Sequence, residues 1–132
     1  MISKSFAVKK ESLEDVQTFI IQWNESQEVP LKISTRLAIC SDEIASNVVF
    51  YSGASNLKIE CEIDDGDISL RFIDDGKPFD PLTEAGEPDI NASIENREIG
   101  GLGIFMVKKM MDSVQYQRTN DKNVLVIRIS VT

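Results

Sequence analysis

The chain has 132 residues, 42% of them apolar, which suits one compact domain over residues 1–132 and is too apolar for a disordered chain. A formal net charge of −8 excludes a surface built to neutralise phosphate backbones, so no direct nucleic-acid contact is expected. No apolar run approaches a membrane span, and Met1-Ile2-Ser3-Lys4 carries no apolar signal core, so no membrane contact and a cytoplasmic location are expected.

In chain order, Ser5 to Lys9 around Phe6-Ala7-Val8 reads as a short edge strand. Ser12 is placed to cap a helix, with Glu14 and Asp15 in its first turn and Val16, Phe19, Ile20 and Trp23 as its apolar stripe. A loop is expected from Asn24 to Val29. Pro30 then suits the first turn of a second helix, which runs from Leu31 to about Phe50 on Ile33, Leu37, Ile44, Val48 and Tyr51 and stops at Ser52-Gly53.

The period then changes to two. Leu57, Ile59, Cys61 and Ile63 alternate with charged residues, Asp65-Gly66 makes a hairpin turn, and Ile68, Leu70 and Phe72 alternate on the return strand into Ile73-Asp74. Residues 76–99 read as one long irregular loop, which in a small domain points to function or disorder. A helix is expected from Leu102 to about Asp112, then a hairpin of Val114–Thr119 and Val124–Val131 across Asn120-Asp121-Lys122. Hairpins accompanied by helices predict an α+β two-layer sandwich, its sheet largely antiparallel and its helices on one face.

The chain contains two cysteines, Cys40 and Cys61, and no histidine. Two ligands cannot make a structural zinc site, and the missing histidine removes Ser-His-Asp and Cys-His catalysis as well as any histidine phosphoacceptor. Both thiols are expected to be buried and free.

Three constellations carry chemistry. Glu43 and Asn47, four residues apart, project from one face of the second helix at the margin of its apolar stripe. A carboxylate there can act as a general base, and an amide oxygen can ligate Mg²⁺, which prefers hard oxygen donors. The second is Asp74-Asp75-Gly76-Lys77-Pro78-Phe79-Asp80-Pro81, in which an acidic residue ends a strand and Gly76 lets the chain turn. An ionised carboxylate is acceptor-only, so Asp74 can take the amino donor of a purine. The third is Gly100-Gly101-Leu102-Gly103 opening the apolar run Ile104 to Met110, a glycine turn whose free N–H groups suit an anion. Singly, each has a plain structural reading: a solvated Glu/Asn pair, a loop opener, and a helix-start turn.

Their order resembles the ATP-binding (Bergerat) fold of the GHKL superfamily, which includes gyrase and the histidine kinases. The resemblance runs from about Arg36 to Val131. Glu43 and Asn47 match its N box, Asp74 and Gly76 its first glycine box, and Gly101, Leu102 and Gly103 its second. Within that superfamily the chain looks most like the anti-sigma factor serine/threonine kinases, because it has no dimerisation helices and carries Pro78-Phe79-Asp80-Pro81 and Met111-Asp112 in their style.

The resemblance implies that Glu43 is the catalytic base, that Asn47 holds Mg²⁺, and that Asp74 and Gly76 receive the adenine of ATP. It further implies that Gly101 and Gly103, with Leu102 between them, line the phosphates, and that residues 82–99 form a lid. The implied substrate is a serine or threonine on a small anti-sigma antagonist protein, the alternative partner a sigma factor, and the assembly a homodimer.

Two departures stand out. Tyr51 occupies a place where members often carry histidine, and Ile99 or Gly100 stands where kinase relatives can place a basic lid residue. Arg97 is the nearby cation that could serve. Without a neutralising charge there, phosphoryl transfer is expected to be slow. Two further readings follow: a non-catalytic, nucleotide-regulated binding module of a partner-switching circuit, and a detached ATP-binding domain of a sensor kinase.

Overall fold

The computed structural model describes residues 1–84 and 101–132. Five strands form one sheet: β1 (Ile2–Ala7), β2 (Asn56–Asp64), β3 (Asp67–Asp74), β4 (Ser113–Thr119) and β5 (Lys122–Ser130). Their order is β1-β2-β3-β5-β4, and every described pairing is antiparallel. The helices α1 (Ser12–Ser26), α2 (Leu31–Asn47), α3 (Pro81–Glu84) and α4 (Gly101–Met110) complete the α+β sandwich.

Alternation decides which strand residues meet the helices. Ile68, Leu70 and Phe72 of β3 face the core opposite Ile63, Cys61 and Ile59 of β2 and Ile129, Ile127 and Leu125 of β5. Above them pack Val16, Ile20 and Trp23 of α1, Leu37, Cys40 and Ile44 of α2, and Ile104 and Val107 of α4. Cys40 and Cys61 are both free and buried, as expected. Burial pushes their thiols up, to about 11 and about 12, so neither is a ready nucleophile. No helix among the described residues is long and apolar enough to cross a membrane.

Several boundaries differ from the sequence expectation. β1 begins at Ile2, because its pairing with β2 extends from Ile2↔Cys61 to Ala7↔Asn56. Ser12 does not cap α1: Glu11 already has helical dihedrals, and Ser12 is buried inside the first turn. Asn24 is helical rather than loop, since α1 continues to Ser26 and the Asn24 amide donates to Ser34 Oγ at 2.9 Å on α2. Pro30 stands just before α2, at its N-cap. The second helix does not run on as α-helix to Phe50. At Val48–Ser52 it widens into a π-helical turn, which Gly53 ends in the left-handed region at φ 68°. Such turns recur at functional sites, and this one directly follows Asn47. In the expected long loop, Pro81–Glu84 form the short helix α3. α4 starts at Gly101, one residue earlier than expected.

Candidate functional site

The same alternation that buries Phe72 carries Asp74 onto the core face at the end of β3, where it is 6% exposed. A carboxylate there needs partners, and the fold supplies them on one oxygen. Asp74 Oδ1 accepts the Gly76 N–H at 2.9 Å and the Asn123 amide at 3.0 Å, whereas Oδ2 has no hydrogen-bond partner among the described residues. Burial raises the Asp74 carboxyl above the ordinary range, opposed by the bonds from Asn123 and Gly76.

Asn123 is the residue that the sequence reading missed. It is the Cα partner of Asp74 across the β3–β5 ladder and is also buried. Its amide nitrogen holds Asp74 and the Lys77 carbonyl (2.8 Å). Its oxygen accepts from the Tyr116 hydroxyl at 2.6 Å, the Phe79 N–H at 3.3 Å and Arg118 at 3.2 Å. Arg118 also donates to the Gly76 carbonyl at 2.8 Å. One side chain thus fixes the carboxylate and the loop leaving β3.

Gly76 is where two backbones meet. A Cβ there would lie 2.5 Å from the Ser52 carbonyl oxygen, 2.8 Å from Ser52 Cβ and 2.9 Å from Asp74 Oδ1. Ser52 ends the π turn, where its hydroxyl donates to the Val48 carbonyl at 2.6 Å and its own carbonyl accepts the Lys77 N–H at 3.0 Å. Next door, exposed Asp75 accepts from the Ser55 N–H (2.8 Å), the Ser55 hydroxyl (2.6 Å) and the Asn56 N–H (2.9 Å). Those bonds hold its carboxyl down at about 2.

Ile44 and Asn47 of α2 and Val48 of the π turn face this floor. With Ser52, Phe72, Asp74, Phe79, Pro81, Tyr116, Asn123 and Leu125 they line a narrow, largely apolar pocket of ≈ 30 Å³. Its apolar walls stand beside the acceptor atoms of the Asp74 carboxylate.

Glu43 stands one turn before Asn47, outside the walls of this pocket. It is half-buried against α4: a Cβ on Gly103 would run into its carboxylate. Burial, then the neighbouring Asp42, raise its carboxyl above the ordinary range. The structure therefore brings Asp74 and Asn47 together at one pocket, ties Gly76 to Asp74, and sets Glu43 beside Gly103 one turn earlier on α2. Gly101 and Leu102 open α4. Arg97 and Gly100 lie outside the described residues.

The two neighbouring aspartates give opposite acid responses. Asp74 protonates at a higher pH than an ordinary Asp, so affinity for a ligand read by its carboxylate falls early on acidification. The lowered carboxyl of Asp75 gives a stabilisation that is complete above the ordinary Asp value and is lost only as the pH falls through about 2. A calorimetric pH series should show ligand affinity declining while the fold, followed by circular dichroism, persists. Simultaneous loss of both would contradict these assignments.

Residues 6–129 match the histidine kinase-like ATPase domain. The chain is similar to the serine/threonine-protein kinase BtrW of Bordetella bronchiseptica, at 24% identity over 96% of this chain and 94% of that protein. Its fold resembles the RsbU and RsbW domains of Rv1364c from Mycobacterium tuberculosis, with a TM-score of 0.70 and 9% identity over 98% of this chain and 32% of that one. It also resembles the catalytic domain of the histidine kinase ThkA, with a TM-score of 0.57 and 14% identity over 100% of this chain and 99% of that one. A match over nearly the whole chain, on a fold that these domains share, shows that the chain belongs to the histidine kinase-like ATPase domain family.

Proposed function

We propose that the chain is an ATP-binding anti-sigma regulatory factor with serine/threonine protein kinase activity toward a small anti-sigma antagonist protein. The observation that carries this reading is the buried Asp74 carboxylate, with Oδ1 committed to Gly76 and Asn123 and Oδ2 without a partner among the described residues, at an apolar pocket. Similarity to BtrW supports the choice of a protein substrate. In its other state the chain binds a sigma factor. We place it in the cytoplasm as a single-domain homodimer.

The residues fit ATP with Mg²⁺. Asp74 Oδ2 is the acceptor that adenine requires, and the bare Cα of Gly76 keeps the turn clear of that carboxylate. Asn47 offers a hard oxygen at the pocket wall, enough for an ion that keeps waters and phosphate oxygens as its other ligands. ATP supplies the transferable phosphoryl group, and Mg²⁺ offsets the charge on its phosphates. Backbone N–H groups at Gly101, Leu102 and Gly103 would hold the phosphates, with Arg97 as the added cation. Glu43 takes the proton of the attacking hydroxyl. Its raised carboxyl suits a base working near neutrality, because burial makes the charged form a better proton acceptor.

A second reading, a nucleotide-regulated binding module without phosphoryl transfer, is favoured by one contact. The Glu43 carboxylate packs on Gly103 and does not reach the walls of the Asp74 pocket. Mass spectrometry of a purified antagonist incubated with the chain, ATP and Mg²⁺ separates the two. The kinase reading expects one phosphate per antagonist. Glu43→Ala is expected to reduce the rate at least ~100-fold, as loss of a general base does, with ATP affinity retained. ATP binding with no phosphate on the antagonist would favour the module, and undiminished transfer by Glu43→Ala would overturn the base assignment.

A further inference from the structure

The solvent side of the α1–α2 hairpin is a groove with no role in the pocket at Asp74. The helices are antiparallel neighbours tied by Gln17 Nε2, which donates to the Ala38 carbonyl (2.9 Å), and by Asn24 Nδ2, which donates to Ser34 Oγ (2.9 Å) and the Ser34 carbonyl (3.4 Å). Between them runs a trough of ≈ 740 Å³ that keeps large apolar side chains in water: Ile21 is 41% exposed, Leu31 83% and Ile39 41%. Its rim is acidic, with Glu25, Asp42 and Glu43 and no lysine or arginine among the described lining residues. On its floor Asn24 is 1% exposed, and its Oδ1 has no hydrogen-bond partner among the described residues.

We propose that this groove docks an amphipathic, lysine- or arginine-bearing helix of a partner protein. Two parallel stripes of side chains at helical spacing are the surface onto which a third helix packs as in a bundle. The α2 stripe from Leu31 to Glu43 gives roughly 18 Å at 1.5 Å per residue, the length of about three turns. Apolar side chains of the incoming helix cover Ile21, Leu31 and Ile39, and its cations meet the acidic rim. Charge decides against a second copy at this groove, since the same acidic rim on each copy would face the other. This surface stands whether or not the chain transfers phosphate.

The test is an amide chemical-shift titration of the full chain with a 14-residue amphipathic leucine/lysine peptide. Its controls are the same residues scrambled and a leucine/glutamate version. The expected result is shifts confined to the groove and binding that weakens with salt. Ile39→Lys and Asp42→Lys, both at exposed positions, should each weaken binding at least ~tenfold and leave ATP affinity unchanged. Shifts elsewhere, equal binding of the scrambled peptide, or unchanged affinity in both variants would overturn the proposal. So would a wild-type dimer in sedimentation that Ile39→Lys dissociates, because it would assign the groove to a second copy.

Discussion

Replacing Asp74 with asparagine is expected to weaken ATP binding at least ~100-fold without destabilising the fold. Gly76 and Asn123 both donate to Oδ1, so an asparagine at 74 must turn its carbonyl toward them. Its amide nitrogen then takes the place of Oδ2, and a donor faces the amino donor of the base. A charge-assisted bond is lost and a buried donor is left unpaired, together about 3 kcal/mol, which is roughly two decades in affinity. Stability should hold or rise slightly, because burial already disfavours the charged form of Asp74. Thermal melts with and without ATP check both halves. The wild type gains stability through ligand linkage, and the variant melts at least as high as the wild type alone but gains nothing from ATP. A variant that still responds to ATP would move the base-reading role away from Asp74.

Gly76→Ala is expected to damage fold and site together. The added methyl falls 2.5 Å from the Ser52 carbonyl oxygen and 2.9 Å from Asp74 Oδ1, and the first of these is backbone, which cannot rotate aside. Relief requires parting the loop after β3 from the end of the π turn, where Lys77 N–H donates to that same carbonyl. Overpacking of this kind costs about 1–3 kcal/mol. Moving Asp74 should lower ATP affinity by at least ~tenfold as well. Gly53→Ala is the control: its φ of 68° imposes backbone strain, but an added Cβ meets nothing within 4 Å. It should lose about 1–2 kcal/mol of stability and bind ATP as the wild type does. Equal binding losses in the two variants would show that general destabilisation, and not the Gly76 contact, is responsible.

Much of this site could be read locally. The alternation Ile68, Leu70, Phe72 already puts Asp74 on the core face, and Asp65-Gly66 sets the hairpin that aligns it. Helical spacing places Glu43 and Asn47 one turn apart on α2, as found. What escaped depends on distant partners. Asn123 reads as one polar residue after a turn, and only the register between β3 and β5 brings it opposite Asp74. The π turn leaves no propensity signal. Its Ser52 matters because a loop 24 positions later crosses it at Gly76. Ser12 has the chemistry of a cap, yet the approach from β1 makes Glu11 helical and leaves it no capping role. The split between Asn47 at the pocket and Glu43 against Gly103 was likewise illegible, since both sit on one helical face.

The central claim is that the pocket at Asp74 binds an adenine nucleotide. Titration calorimetry of the full chain with ATP and with GTP, each with and without Mg²⁺, tests it most directly. The account predicts one ATP per chain, tighter with Mg²⁺, and GTP weaker by at least ~tenfold, because its ring presents a carbonyl where Asp74 requires a donor. No heat with ATP under either condition, or equal affinity for the two nucleotides, would contradict it.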